Sequence, residues 1–397
     1  MSKVSVHAPY ALRAAAGIVR IKAMFSRPDV LASSLVVALL AAGLGATGAA
    51  HADVVIGVAG PMAGELAPLG AQMRDGATQA AADINAAGGV LGQQVTVETV
   101  DDGCTAKKAD AVANQLAGKG ALLVVGHLCL QASMAGAAVY NAEHIIEISP
   151  GTTFAKFTDE RAGPGIFRVA GRDDAEGAFA GATIAARFAA GKVALIDDGT
   201  GYGKALTDGA ATALAASGKD VALRSAFTPG QKDYAAVAGQ LAASSIDVVY
   251  FGGSDPDVGT IVSGMHDQGM HATIMAGDAL YDNDYGRLAG DAGEGTMVSF
   301  AADHRKDASA AGVVAAFTAR GEDPAGYVLP AYAAVQIWAA AAASVQSTDF
   351  DKVAAAIQGG TFQTVIGAVS FDAKGDIKNP AYDWYIWHDG AFAAAGS

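Results

Sequence analysis

Cationic side chains are scarce in this chain. Lys and Arg number 26 against 40 Asp and Glu, a formal charge of −14. A surface of that sign repels phosphate backbones, which argues against a nucleic-acid partner. Charge of either sign is thin, at 17% of residues against roughly 25% in an average globular protein. Disorder does not follow, because a hydrophobic fraction of 52% supplies ample surface to bury. Cysteine is almost missing: Cys104 and Cys129 are the two. Isolated cysteines lack the paired spacing of a zinc site, so no metal and no cofactor is expected. Long apolar runs are few too, and the one that approaches membrane-spanning length on this reading is N-terminal.

That stretch reads as an export signal. Residues 30–50 carry no charge, Leu35 to Leu40 form its apolar core, and Ala50-His51-Ala52 is a small-x-small cleavage site. Arg20, Lys22 and Arg27 precede the core, with Asp29 as the acidic exception, and Met24 is a second possible start. The alternative is a permanent membrane anchor. Cleavage after Ala52 removes five basic residues and one acidic residue, leaving an exported protein more acidic still. In an oxidising compartment a lone cysteine pair is most simply one disulfide, the alternative being two buried thiols.

What the chain has in quantity is alanine and glycine, with 50 glycines. Its 397 residues suggest two or three domains at about 150 residues each. Short apolar runs at 54–58, 94–100, 121–125 and 144–148 alternate with helical patterns at 72–85, 106–119 and 131–141. Near Gly171 the pattern restarts, with helices at 175–190, 203–216, 234–243 and 257–268. Strands at 193–196, 221–226, 246–251 and 273–276 alternate with them. Such a succession predicts an α/β fold with parallel sheets covered by helices on both faces, in two similar lobes. Ligands of such sheets bind beyond the carboxyl ends of the strands. That singles out the loops 60–70, 126–132, 149–154, 197–203, 252–257 and 277–284.

The motifs in these loops are not catalytic. Gly199-Thr200-Gly201-Tyr202-Gly203-Lys204 fails the dinucleotide fingerprint and the P-loop, and Asp197 and Asp198 would repel a pyrophosphate. There is no Gly-x-Ser-x-Gly elbow and no His-Glu-x-x-His. His127, at an apolar strand end, reads as a hydrogen-bonded structural histidine. Asp101 and Asp102 point to opposite faces and read as caps of the following turn, not as a metal pair.

At the level of motifs the chain resembles the periplasmic leucine/isoleucine/valine-binding proteins of ABC importers. The resemblance covers Asp53 to about His388. It rests on Ala81-Ala82-Asp83-Ile84-Asn85-Ala86-Ala87-Gly88-Gly89, Asp101-Asp102-Gly103-Cys104, Gly126-His127-Leu128-Cys129 and Ile148-Ser149-Pro150-Gly151-Thr152-Thr153. Phe167-Arg168-Val169-Ala170-Gly171-Arg172-Asp173, Tyr202-Gly203, Asp247 to Gly253 and Phe371 to Asp376 continue it. It implies the type I binding-protein fold: two Rossmann-like lobes joined by a three-crossover hinge, with the ligand between them. Lobe one would hold 53–171 and 301–380, lobe two 172–300 and 381–397. The family's disulfide falls on Cys104 and Cys129.

The resemblance also assigns a site. Asp278 is the acid for a ligand ammonium, Gly151 supplies it a carbonyl, and Thr153, beside Thr152, donates a hydroxyl. Tyr202 packs over the ligand from lobe two. Leu130 stands where the family places a carboxylate-binding serine, so the backbone N–H groups of Leu130 and Gln131 remain to hold a carboxylate. Leu69 and Ser254 occupy usual aromatic positions, and Tyr327 restores aromatic surface. The expected function is a periplasmic, monomeric, non-enzymatic substrate-binding protein that passes a small ligand to an ABC permease. That ligand would be an amino acid or a partly apolar relative. The rivals are a ligand sensor for a receptor, a binder of a metabolite lacking an α-carboxylate, and an exported α/β enzyme.

Overall fold

A computed structural model describes residues 53–395 apart from Glu65, Asp255 and Asp282; the export segment read at residues 1–52 lies outside them. The described chain opens with β1 (Val54–Gly60), α1 (Ala67–Ala86), β2 (Val95–Asp101), α2 (Ala106–Gly118), β3 (Ala121–Gly126) and α3 (Leu130–Ala142). β4 (Ile146–Ser149), the single turn α4 (Lys156–Asp159) and β5 (Ile166–Arg168) follow. The five strands pair in parallel in the order β2-β1-β3-β4-β5. β1 and β3 are nearly all apolar because helices cover the sheet on both faces. Sequence punctuation sets the helix starts: the Thr105 hydroxyl accepts the Lys108 N–H and begins α2.

The second series is α5 (Asp173–Arg187), β6 (Val193–Asp197), α6 (Gly201–Ala216), β7 (Val221–Ala226), α7 (Ala235–Ala243), β8 (Val248–Gly252), α8 (Asp257–Asp267), β9 (Thr273–Ala276), α9 (Asn283–Ala289) and β10 (Met297–Ala301). Here small residues set the packing. A Cβ on Gly177 would lie 2.0 Å from the Leu206 carbonyl oxygen, and one on Gly181 would lie 2.4 Å from that of Ala210. α5 and α6 therefore touch backbone to backbone, which accounts for the glycines at 177 and 181.

The chain then returns to the first sheet with α10 (Ala311–Thr318), α11 (Val328–Val345), α12 (Phe350–Gly359) and the hairpin β11 (Thr361–Thr364)–β12 (Gly367–Ser370). Ile56, Leu123, Phe167, Trp338, Ile357 and Phe371 share one core. Finally β13 (Tyr382–His388) and β14 (Ala391–Ala394) rejoin the second sheet, whose order is β14-β13-β10-β9-β8-β6-β7. The chain thus passes between the sheets three times, after β5, β10 and β12.

Two expectations need correction. The second sheet is not wholly parallel: β13 runs antiparallel to β10, and β14 to β13. β14 follows β13 after a two-residue turn, which can only return the chain antiparallel. β13 itself enters the sheet directly from the segment after the β11–β12 hairpin, with no crossover helix between them. The N-terminal stretch is also not the one apolar run near membrane-spanning length. α11 has the length and composition, yet Leu329, Tyr332, Val335, Ile337 and Trp338 are buried in the core. A helix that is apolar all round is what a core helix requires.

Cys104 and Cys129 are disulfide-bonded, tying the turn after β2 to the turn before α3. The bridge closes a sequence separation of 25, so the Cys104→Ser/Cys129→Ser variant should lose about 3 kcal/mol in urea unfolding. Reduced wild-type protein should show the same loss.

Candidate functional site

The strand-end loop of lobe one is held by side chains. The Ser149 hydroxyl donates to the His127 carbonyl at 2.7 Å and accepts the Thr152 N–H at 3.0 Å. The Thr152 hydroxyl reaches the carbonyls of His127 and Leu128 at 3.0 and 3.1 Å and the Ser133 hydroxyl at 2.5 Å. His127 itself lies between Asp102 at 2.6 Å and the Tyr140 hydroxyl at 3.0 Å, the structural role its position suggested. Asp101 and Asp102 accept the N–H groups of Gly103 and Cys104, capping the turn.

Arg168 fixes the same loop from beneath. Fully buried, it donates to the carbonyls of Thr152 (2.9 Å) and Phe154 (2.8 Å), to the Thr158 hydroxyl and to Asp376 at 2.5 Å. Arg172, the next cation along, bonds Asp376 at 3.0 Å and Asp174 at 2.7 Å. The segment between the sheets and the site loop are therefore one hydrogen-bonded unit.

Lobe two presents an acidic wall. Tyr202, in the first turn of α6, donates to Asp278 at 2.7 Å and accepts the Ala279 N–H at 3.0 Å. Behind them Glu176 accepts the Asp278 N–H at 2.9 Å and the Ser299 hydroxyl at 2.6 Å. Asp173 begins α5, and its N–H donates to the Thr153 carbonyl at 3.1 Å, so the two walls meet there. Burial raises all three carboxyls. Asp173 is pushed up to about 7, against the pull of the Thr153 hydroxyl and with the push of Asp278. Glu176 lies well above the usual range through burial and then Asp278. Asp278 is raised by burial, which outweighs the Tyr202 hydrogen bond. Across the cleft the Tyr327 phenol is pushed up to about 12 by burial and then by Asp278.

Other residues singled out from sequence divide into two groups. Gly151 lies under the Tyr327 ring: a Cβ there would come within 2.8 Å of it. With Thr153, Tyr202 and Asp278 these form the convergent set. The Thr152 hydroxyl is engaged inside the loop, with the carbonyls of His127 and Leu128, and the residue is buried. The Leu130 side chain packs on the core between α2 and α3, leaving its N–H at a helix start without a side-chain cap. Gln131 is exposed on that same turn. Leu69, in the first turn of α1, and Ser254, just after β8, are half-buried and are not joined to the set by these bonds. In the Gly199–Gly203 turn, Asp197 and Asp198 already take the N–H groups of Gly199 and Thr200, so no phosphate cradle exists.

The sequence pattern described as periplasmic binding protein matches residues 53–387. Leu/Ile/Val-binding protein homolog 1 of Brucella abortus is 38% identical over 353 residues, covering 89% of this chain and 95% of that one. The chain belongs to the periplasmic binding protein family. The leucine-, isoleucine-, valine-, threonine- and alanine-binding protein of Pseudomonas aeruginosa is 34% identical over 360 residues, covering 90% of this chain and 96% of that one. Among solved structures, an ABC transporter substrate-binding protein from Desulfitobacterium hafniense in complex with Leu superposes with TM-score 0.71. It is 23% identical and covers 87% of this chain and 100% of that one, a likeness of fold.

In this periplasmic binding protein the sequence reading gave no role to Arg168, Asp173, Glu176 or Asp376. Arg168 carried a usable signal, a cation inside the apolar run Ile166-Phe167-Arg168-Val169, which demands buried partners. Asp173 and Glu176 carried none, because acids in a first helical turn are ordinary. An acid whose folded pKa is raised gives its full stability below the unfolded value, and loses it as pH climbs to the folded value. For Asp173 that window runs from about 4 to about 7. Asp173→Asn should therefore melt higher relative to wild type at pH 8 than at pH 4, by a difference on the order of 3–4 kcal/mol.

Proposed function

We propose that this protein is the substrate-binding component of an ABC importer and captures an aliphatic amino acid between its lobes. The observation that carries the reading is the Tyr202–Asp278 pair on lobe two. It lies opposite a lobe-one loop that offers the Gly151 carbonyl, the Thr153 hydroxyl and the uncapped start of α3. A ligand ammonium meets Asp278 and the Gly151 carbonyl, and its carboxylate meets the N–H groups of Leu130 and Gln131 at the positive end of α3. Leu69, Tyr202 and Tyr327 supply apolar surface for the side chain. The names of the relatives, a Leu/Ile/Val-binding protein homolog and a leucine-, isoleucine-, valine-, threonine- and alanine-binding protein, support this class.

The lobes, 53–171 with 301–380 and 172–300 with 381–397, move about the three connections between the sheets. Ligand favours the closed form because both lobes touch it only there. The protein acts as a monomer in the periplasm after cleavage near Ala52, hands its ligand to a membrane permease and performs no chemistry on it. Calorimetric titration of the mature protein with L-leucine, L-isoleucine and L-valine tests the reading. Asp278→Ala should weaken binding more than about tenfold, the loss of one charge-assisted contact. An unchanged affinity would contradict it.

A further inference from the structure

Asp173 and Glu176 stand three residues apart on α5 and so share one face of its first turn. They are 1% and 3% exposed. Glu176 backs onto Asp278 through the Asp278 N–H, and the Ser299 hydroxyl donates to the same carboxyl oxygen, Oε1. Asp173 Oδ2 is the unfilled position: buried beside Thr153 and within the field of Asp278, it accepts no hydrogen bond. The Tyr250 hydroxyl, on β8, lies within the field of Glu176 and beside Ser299. Tyr202 from α6, Tyr327 from lobe one and Tyr382 from β13 complete the surroundings, all neutral phenols. Asp174 adds negative charge beside Asp173. The cations at hand are engaged elsewhere, Arg168 with Asp376 and Arg172 with Asp159, Asp174 and Asp376. Among the described residues no acidic group has metal-holding geometry. Two buried carboxylates and the half-buried Asp278, clustered without a free counter-cation, do not all ionise; protons take the missing positive charge.

We infer that Asp173, Glu176 and Asp278 form a proton-exchanging ammonium pocket, in which the empty cleft holds a shared proton that the ligand's ammonium group displaces on binding. The inference rests on the amino-acid reading above. Charge balances: the ammonium brings one positive charge in, and one proton leaves to solvent. Glu176 acts here as a positioning residue, holding Asp278 by its N–H and sharing its proton, while Asp278 meets the ligand. Affinity then rises with pH, by up to about tenfold per unit while the pocket still holds its proton.

Infrared spectroscopy of the empty protein reads the proton directly, and Glu176→Gln keeps an oxygen for the Asp278 and Ser299 donors. The carboxylic-acid carbonyl band at neutral pH should weaken in both Glu176→Gln and Asp173→Asn. Glu147, buried on β4 with both oxygens unpartnered, contributes equally to all three proteins and cancels in the difference. Titration with L-leucine in buffers of different ionisation enthalpy should show about one proton released by wild type. Glu176→Gln should release fewer and show a flatter dependence of affinity on pH. A band insensitive to both variants overturns the inference, as does L-leucine binding without proton release. If no amino acid binds, the proposed function fails, and the infrared difference still decides the shared proton by its presence or absence.

Discussion

A guanidinium taken out of water must be surrounded by acceptors, and Arg168 draws its acceptors from three separate segments. The Thr152 and Phe154 carbonyls belong to the strand-end loop of lobe one, Thr158 to the turn α4, and Asp376 to the connection that follows the β11–β12 hairpin. Removing Asp376 would strand the buried Arg168 charge, at a cost of about 3–5 kcal/mol, whereas Asp376 keeps Arg172 if Arg168 is lost. The pair therefore fixes where the site loop lies relative to the segments passing between the sheets. Arg172 extends it to Asp174, on the first turn of the helix that carries Asp173 and Glu176.

The two walls of the cleft are electrically unlike. Lobe one offers backbone: a carbonyl at Gly151 and the N–H groups of an uncapped helix start. Lobe two offers carboxyls whose burial raises them above their ordinary range. A zwitterion satisfies both walls, whereas a plain anion would meet the acids without compensation. Leu130 fits this division. Its side chain packs, partly buried, against the core beside α2 and α3, and its N–H stands at the uncapped start of α3.

Much of the fold was legible in the sequence because parallel strands buried on both faces read as apolar runs, and alternation with helical periods leaves few topologies. β1, β3, β6 and β8 are such runs. β13 and β14 escaped because their burial is partial and their pattern mixed, and α11 because an apolar helix carries no amphipathic period. The glycines were only half understood. Many read as loop residues permitting ligand approach, whereas Gly177 and Gly181 serve the contact between α5 and α6, and Gly76 lies against the Val328 carbonyl of α11. At the site, motif resemblance singled out Tyr202 and Asp278, which the structure joins by a hydrogen bond. Thr152 looked like its neighbour Thr153, and only three dimensions separate a hydroxyl turned into the loop from one beside Asp173. Nothing in a linear sequence links Glu176 to Asp278, 102 positions away.

The central claim is that the acidic wall of lobe two selects a ligand by its ammonium group. Calorimetry with L-leucine and with 4-methylpentanoate, the same skeleton without the amine, tests it most directly. The account predicts tight binding of L-leucine and at least about thirtyfold weaker binding of the amine-free acid, since the latter leaves a desolvated carboxyl unpaired. Equal affinity for the two would contradict it.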